Sequence, residues 1–163
     1  MLDDISIKIL KILQEKARIP NVEVARQVGM APSAILERIR KMEMQGIIDG
    51  YEVRLNPEQF NKKQIAFVFI NVMEKPFEIE ADNSINLVQK ALSEIQEIQE
   101  IHFVAGDDCY LVKLRVSDTH ELGRLLREKI QPIQGVISTR TATVLNTFKE
   151  TAQIPILESA SSS

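Results

Sequence analysis

Five side chains between positions 33 and 41 have the types and spacing to touch a nucleic acid. On a helix beginning at Pro32 and turning about 100° per residue, Ser33, Ala34, Glu37, Arg38 and Lys41 fall on one side, and Ile35, Ile39 and Met42 fall on the other. The second set packs and the first is presented. Small residues at the amino end let the backbone approach, Arg and Lys reach phosphates or base edges, and Glu accepts from a base amino group.

The elements that hold this helix are legible around it. Asn21 is a candidate N-cap for a short helix ending at Val28, with Val24, Ala25 and Val28 as its inward stripe. Gly29, free to take positive φ, breaks that helix. Pro32 suits the first turn of the next, which runs to about Gln45 before Gly46 stops it. Ile47 and Ile48, an Asp49-Gly50 turn, and Tyr51, Val53 and Leu55 read as a β-hairpin, a wing. Upstream, residues 4–17 carry Ile5, Ile9, Leu10, Ile12 and Leu13 at helical spacing behind Asp3 or Asp4 as a cap. Three helices and a wing make a winged helix-turn-helix. That order makes the charged face of the helix a candidate reader of a DNA major groove rather than a merely solvated surface.

The net charge of −3 opposes a nucleic-acid partner at first sight. Its distribution removes the objection: residues 1–60 hold nine Lys or Arg against nine Asp or Glu, and the remainder holds eleven against fourteen. A neutral module binds DNA if its bases share one face and several copies act together. No apolar run reaches the ~20 residues needed to cross a bilayer and no signal-peptide pattern opens the chain, so a cytoplasmic protein without membrane contact is expected. The one cysteine, Cys109, excludes an internal disulfide.

Asn56 and Pro57 close the wing, and a boundary near residue 60 is expected, separating a DNA-binding domain (1–60) from a second domain (61–150) and a largely disordered tail (151–163). Ile65 to Met73 is a β-rich run and 74–83 a polar loop. Ser84 caps a helix with the stripe Leu87, Val88, Ala91, Leu92 and Ile95, and a strand follows over residues 98–105. Gly106 to Cys109 turns into Tyr110 to Val116. Asp118 opens a helix carrying Leu122, Leu125, Leu126 and Ile130, which Pro132 and Gly135 end, and residues 136–145 make a last strand. This β-α-β-β-α-β order predicts an α+β, ferredoxin-like sandwich with two helices on one face of a four-stranded sheet. A second face carrying residues such as Phe67, Phe69, Val112 or Leu114 is expected to be buried against another copy of the chain.

The pieces LDDISIKILKILQ, ARIPNVEVARQVGMAPSAILERIRKMEMQGIIDGY, AGDDCYLVKLRV and GVISTRTATVL, in this order and spacing over residues 2–150, resemble the Lrp/AsnC (feast/famine) family of transcription factors. The resemblance implies a dimer through the sheet domains, assembly to tetramers or octamers, and a small amino acid held between those domains as effector, with no cofactor or metal. By position it implies that Pro32, Ser33, Ala34, Glu37, Arg38 and Lys41 read the groove, with Arg40 at the edge of that face as a phosphate ligand. It also implies an effector site from Phe103, Gly106, Asp107, Asp108, Cys109, Thr119, Ala142, Thr143 and Val144. Ser6 departs from the family's usual Asp and reads as a cap substitution of little weight. Ala31 replaces a Ser cap, losing a hydrogen bond worth ~1 kcal/mol, and Cys109 stands where an Asp is common.

Sharper chemistries are weaker readings. Cys109 reads as a loop or partly buried cysteine before a redox sensor, His102 and His120 as structural, and the Asp107 and Asp108 pair as a polar turn. No nucleophile-base pair or glycine-rich phosphate loop is present, so an enzyme is not expected. Two alternatives share the architecture: a decarboxylase of a siroheme-type tetrapyrrole, which needs a cleft histidine and has only His102, and a sensor without DNA binding, which the presented face opposes.

Overall fold

Three helices form where the apolar spacing places them. In the computed structural model, which describes residues 2–73 and 84–156, they are α1 (Asp4–Glu15), α2 (Asn21–Val28) and α3 (Pro32–Met44). Asp3 caps α1, accepting the Ser6 N–H at 2.8 Å. Asn21 is the first residue of α2 rather than its cap: Pro20 holds the cap position and makes no side-chain bond. Gly29 ends α2 with φ at 73°, a conformation a β-carbon disfavours, and the Met30 N–H donates to the Ala25 carbonyl at 3.0 Å. Ala31 precedes α3 without a side-chain cap bond, as its methyl requires. Ile9, Val24, Ala25, Ile35, Ile39 and Met42 are buried together, and Ile5, Leu10, Leu13, Val28 and Ile48 pack around them.

The hairpin expected after Gly46 does not pair: residues 47–56 carry no strand. The Ile47 and Ile48 amides instead donate back to the Met42 carbonyl, at 2.9 and 3.2 Å, and Ile48 joins the helical core. The first expected strand is thereby used to close the carboxyl end of α3. Tyr51 follows in extended chain, its hydroxyl donating to Glu43 at 2.9 Å. Burial, reinforced by the Glu43 carboxylate, pushes that phenol up to about 12.

Of the described residues, 2–54 and 149–156 belong to the first compact unit. The Gln14 side chain accepts the Ile154 N–H at 2.8 Å and donates to its carbonyl at 3.0 Å, while Gln153 Nε2 donates to the Gln14 carbonyl at 3.0 Å. Residues 151–156, expected to be disordered, are therefore tied to the end of α1. The expected 74–83 loop and the rest of the expected disordered tail, 157–163, lie outside the described residues.

The second unit, residues 55–148, contains β1 (Gln64–Val72), α4 (Ser84–Ser93), β2 (Ile98–Phe103), β3 (Tyr110–Val116), α5 (Thr119–Leu125) and β4 (Val136–Thr143). Its sheet has the order β2-β3-β1-β4, antiparallel throughout, the arrangement a split β-α-β-β-α-β chain produces. α5 widens into a π-turn over Leu126–Ile130, closed by the Gln131 N–H on the Leu126 carbonyl at 2.8 Å. Gly135 then turns with φ at 100°, and a β-carbon there would meet Val88 at 3.3 Å.

Alternation sorts the strands into two faces. Ala66, Val68, Ile70, Val72, Tyr110, Val112, Leu114 and Val116 bury against Val88, Leu92, Leu122, Leu125 and Ile130 from the helices. Val112 and Leu114, expected on the second face, are therefore core residues, whereas Leu87, expected in the α4 stripe, is exposed. Phe67, Phe69, Leu111, Lys113, Arg140 and Ala142, which lie opposite one another in register, make up the other face. Below the sheet, Glu121 binds Lys62 Nζ at 2.6 Å and accepts the Ser117 N–H. These bonds, the Lys62 one first, hold its carboxyl down at about 2.

Candidate functional site

The reader is built from the turn upward. Gly29 and Ala31 set the angle between α2 and α3, the Ile35, Ile39 and Met42 stripe fixes the roll of α3, and the opposite side of that helix faces out. Ser33, Leu36, Glu37, Arg40, Lys41 and Met44 line one shallow depression along it. Pro32 and Ser33 are exposed and Ala34 partly so at the amino end.

Arg38 is elsewhere. Its Nη1 binds both Asp3 carboxylate oxygens, at 2.7 and 3.0 Å, and Ser6 Oγ at 3.2 Å. Hydrogen bonds from Ser6, then from Arg38, hold the Asp3 carboxyl at about 2. The arginine expected to read bases thus ties α3 to the cap of α1, and Ser6, expected to matter little, is a buried part of that tie. The exposed row is rotated by about 60° from the expected one, using the helical repeat. It centres on Ser33, Glu37, Arg40 and Met44, so Arg40 moves from the edge to the middle. The signal for this was present, because the direction opposite Ile35, Ile39 and Met42 passes between Ser33 and Glu37 and includes Met44. Counting polar residues instead favoured Arg38 and missed Leu36 and Met44.

The residues expected at an effector site fall into two groups. Phe103, edge-on to Tyr110 at 5.8 Å, and the turn Gly106, Asp107, Asp108 and Cys109 lie at the end of the sheet where Ile70 pairs with Tyr110. Thr119, Ala142, Thr143 and Val144 lie at the other, where Gln64 pairs with Val116 and Ala66 with Thr143. The length of β3 separates the two ends by about 20 Å at the usual strand rise. One copy of the sheet does not bring them together. Within the turn, Asp108 binds Arg140 at 2.9 Å, and Arg140 lies over the Phe69 ring at 3.9 Å. Cys109 is buried: its N–H donates to the Ile70 carbonyl, its carbonyl accepts the Val104 N–H, and its side chain joins the core. It precedes β3 and packs inward rather than presenting a polar turn residue.

His102 is exposed on the edge strand β2, 3.0 Å from Glu100, which also binds Lys113 at 3.2 Å. His102 first, then Lys113, lowers the Glu100 carboxyl. Among the described residues no group of His, Cys, Asp and Glu is arranged to hold a metal ion, and no helix is long and apolar enough to cross a membrane.

A three-helix reader with an exposed third helix, joined in one chain to a β-α-β-β-α-β unit, defines a helix-turn-helix DNA-binding protein with a separate α+β domain. Known families agree with each half. Residues 2–49 match the winged helix-turn-helix DNA-binding family and residues 65–154 the Lrp/AsnC ligand binding domain. The chain is 39% identical to the leucine-responsive regulatory protein of Haemophilus influenzae, over 92% of this chain and 87% of that one. It is 38% identical to that of Escherichia coli K12, over 95% and 92%. Among solved structures, a transcriptional regulator of Neisseria meningitidis in complex with L-Met superposes with a TM-score of 0.85 at 26% identity, covering 95% of this chain and 97% of that one. A feast or famine regulatory protein of Mycobacterium tuberculosis complexed with L-methionine gives 0.82 at 30% identity, covering 94% and 99%. The chain belongs to the Lrp/AsnC family and is a DNA-binding transcriptional regulator.

Proposed function

We propose that this regulator reads its operator with Pro32, Ser33, Ala34, Glu37, Arg40 and Lys41, and that Arg38 positions α3 instead of touching DNA. The observation that carries this is the exposed row on α3, opposite a stripe that fixes its roll. Copies pair through the open sheet face, so that two recognition helices enter successive major grooves one helical turn, about 34 Å, apart. Pairing also offsets the reader's lack of net positive charge. Dimers assemble further to tetramers or octamers, and the protein works in the cytoplasm.

The effector is a small amino acid, the ligand class of the two methionine complexes above. It binds where the 106–109 turn of one copy meets the 142–144 segment of another. Backbone N–H groups of such a turn suit a carboxylate and the Asp107 side chain suits an ammonium. Two measurements check the two halves. Selection of the full chain against randomised duplexes should enrich one two-fold motif bound at least about 1,000 times more tightly than random DNA; no enrichment overturns operator reading. A screen of the common amino acids should raise the melting temperature or change the sedimentation of the protein for a subset of them; no response from any overturns the effector.

A further inference from the structure

The row that faces out from α3 contains two kinds of residue that phosphate binding does not explain. Leu36 is 39% exposed and Met44 83% exposed, on a helix whose other exposed residues beyond its first turn, Glu37, Arg40, Lys41 and Glu43, are charged. Glu37 is exposed beside them, and among the described residues it has no ion-pair or hydrogen-bond partner. An isolated surface leucine means little. Here the leucine lies three residues after Ser33 and four before Arg40, within one depression whose floor is the recognition helix. A surface meant only for phosphates would gain nothing from either side chain, and the acid would be repelled by them. Base edges reverse both arguments. The thymine C5-methyl is the one apolar group in the major groove, and the cytosine N4 amino group is a donor that Glu accepts from. Both residues fall in the first half of α3, the part of such a helix that meets bases, whereas Arg40 and Lys41 follow a turn later, where a flanking phosphate is in reach.

We infer that Leu36 and Glu37 determine the operator sequence, Leu36 by packing on a thymine methyl and Glu37 by accepting a hydrogen bond from the N4 amino group of a nearby cytosine. The inference rests on the operator reading proposed above and deepens it: each half-site contains a cytosine and a thymine within the few base pairs that α3 spans. Leu36 acts by shape and dispersion, and its loss removes the preference without removing the phosphate contacts. Glu37 acts by exclusion, because at any base that offers only acceptors to it the carboxylate is unpaired among phosphates.

The test uses the full chain and the duplex selected for it. Replacing each thymine of a half-site in turn by uracil deletes one methyl and nothing else. One such replacement should weaken the wild-type protein by about fourfold, the worth of one buried methyl group, and should leave Leu36→Ala unaffected. Repeating the selection with Glu37→Gln should change one cytosine per half-site to adenine, which Gln reads bidentately, with about tenfold preference. If a motif is enriched but uracil has no effect at any position, or Leu36→Ala responds to it as fully as the wild type, the Leu36 assignment is overturned while operator reading stands. A Glu37→Gln motif identical to the wild-type one overturns the Glu37 assignment in the same way. Absence of any enriched motif overturns the operator reading itself. The uracil series on unaltered protein keeps the Leu36 assignment testable even if Leu36→Ala fails to fold.

Discussion

The two units close their cores in different ways. The reader encloses its apolar stripe with three helices and leaves mostly polar residues outside, with Leu36 and Met44 exposed along α3. The sheet unit packs two helices on one face and leaves Phe67, Phe69 and Leu111 on the other, among Lys113 and Arg140. A helix has one stripe to bury, whereas a sheet has two faces, and the described helices of this unit cover one. The reader is thus finished as a fold, and under the proposed pairing its recognition helix spans half an operator. The sheet unit is open as a surface, and the pairing proposed above would complete both.

That contrast is broken most severely inside the sheet unit. Leu114 is fully buried in the middle of β3, and Leu114→Ala should cost about 3 kcal/mol in denaturant unfolding, the transfer and cavity cost of a core leucine. Phe69→Ala on the open face should cost the isolated monomer less, about 1–2 kcal/mol, because that side chain is only partly buried and its main neighbour is the Arg140 guanidinium over its ring. Phe69→Glu should instead abolish association, leaving a monomer in sedimentation at micromolar concentration. If Phe69→Glu sediments as the wild type does, the open face is not the pairing surface and the contrast between the units fails.

The sequence was most legible where a period meets a punctuating residue. The helices at Asp4, Asn21 and Pro32 and the four strands follow from apolar spacing and from Gly29, Gly46, Pro132 and Gly135, local signals that tertiary contacts did not override. The hairpin after Gly46 failed because Ile47 and Ile48 had a better partner than a second strand, the open carboxyl end of α3 and the core beneath it. The exposed side of α3 was half legible. A stripe fixes the roll of a helix, but whether Arg38 is spent inside the protein depends on Asp3, thirty-five positions away, and no local pattern reports that. The residues expected at an effector site can be picked out one at a time, yet their separation to opposite ends of the sheet emerges only from the β1–β3 register.

Arg38 and Arg40 sharpen the comparison at the reader itself, two residues apart on one helix with opposite assignments. Arg40→Ala should weaken operator binding and lower the slope of log affinity against log salt by about one phosphate's worth. Arg38→Ala should leave that slope unchanged and lower the reader's melting temperature instead. A slope that falls equally for both returns Arg38 to the DNA interface.

The smallest expected effect isolates the charge in the Arg38 tie. Asp3→Asn keeps a side-chain oxygen to cap α1 but removes the carboxylate that Arg38 grips, so it should cost about 0.5 kcal/mol near neutral pH, the range of exposed pairs. The sign with pH follows from the bound carboxyl, held at about 2 against an ordinary 3.8. A carboxylate held low in the folded protein adds stability that is fully present above its unfolded value and is lost as the pH falls through its folded one. The difference in unfolding free energy between wild type and Asp3→Asn should therefore be constant from neutral pH to about 5, shrink below 4 and vanish near 2. A difference that persists unchanged at pH 2.5 would mean that it does not come from the ionised carboxylate, so the grip on Arg38 contributes nothing and Arg38 is free to seek a phosphate.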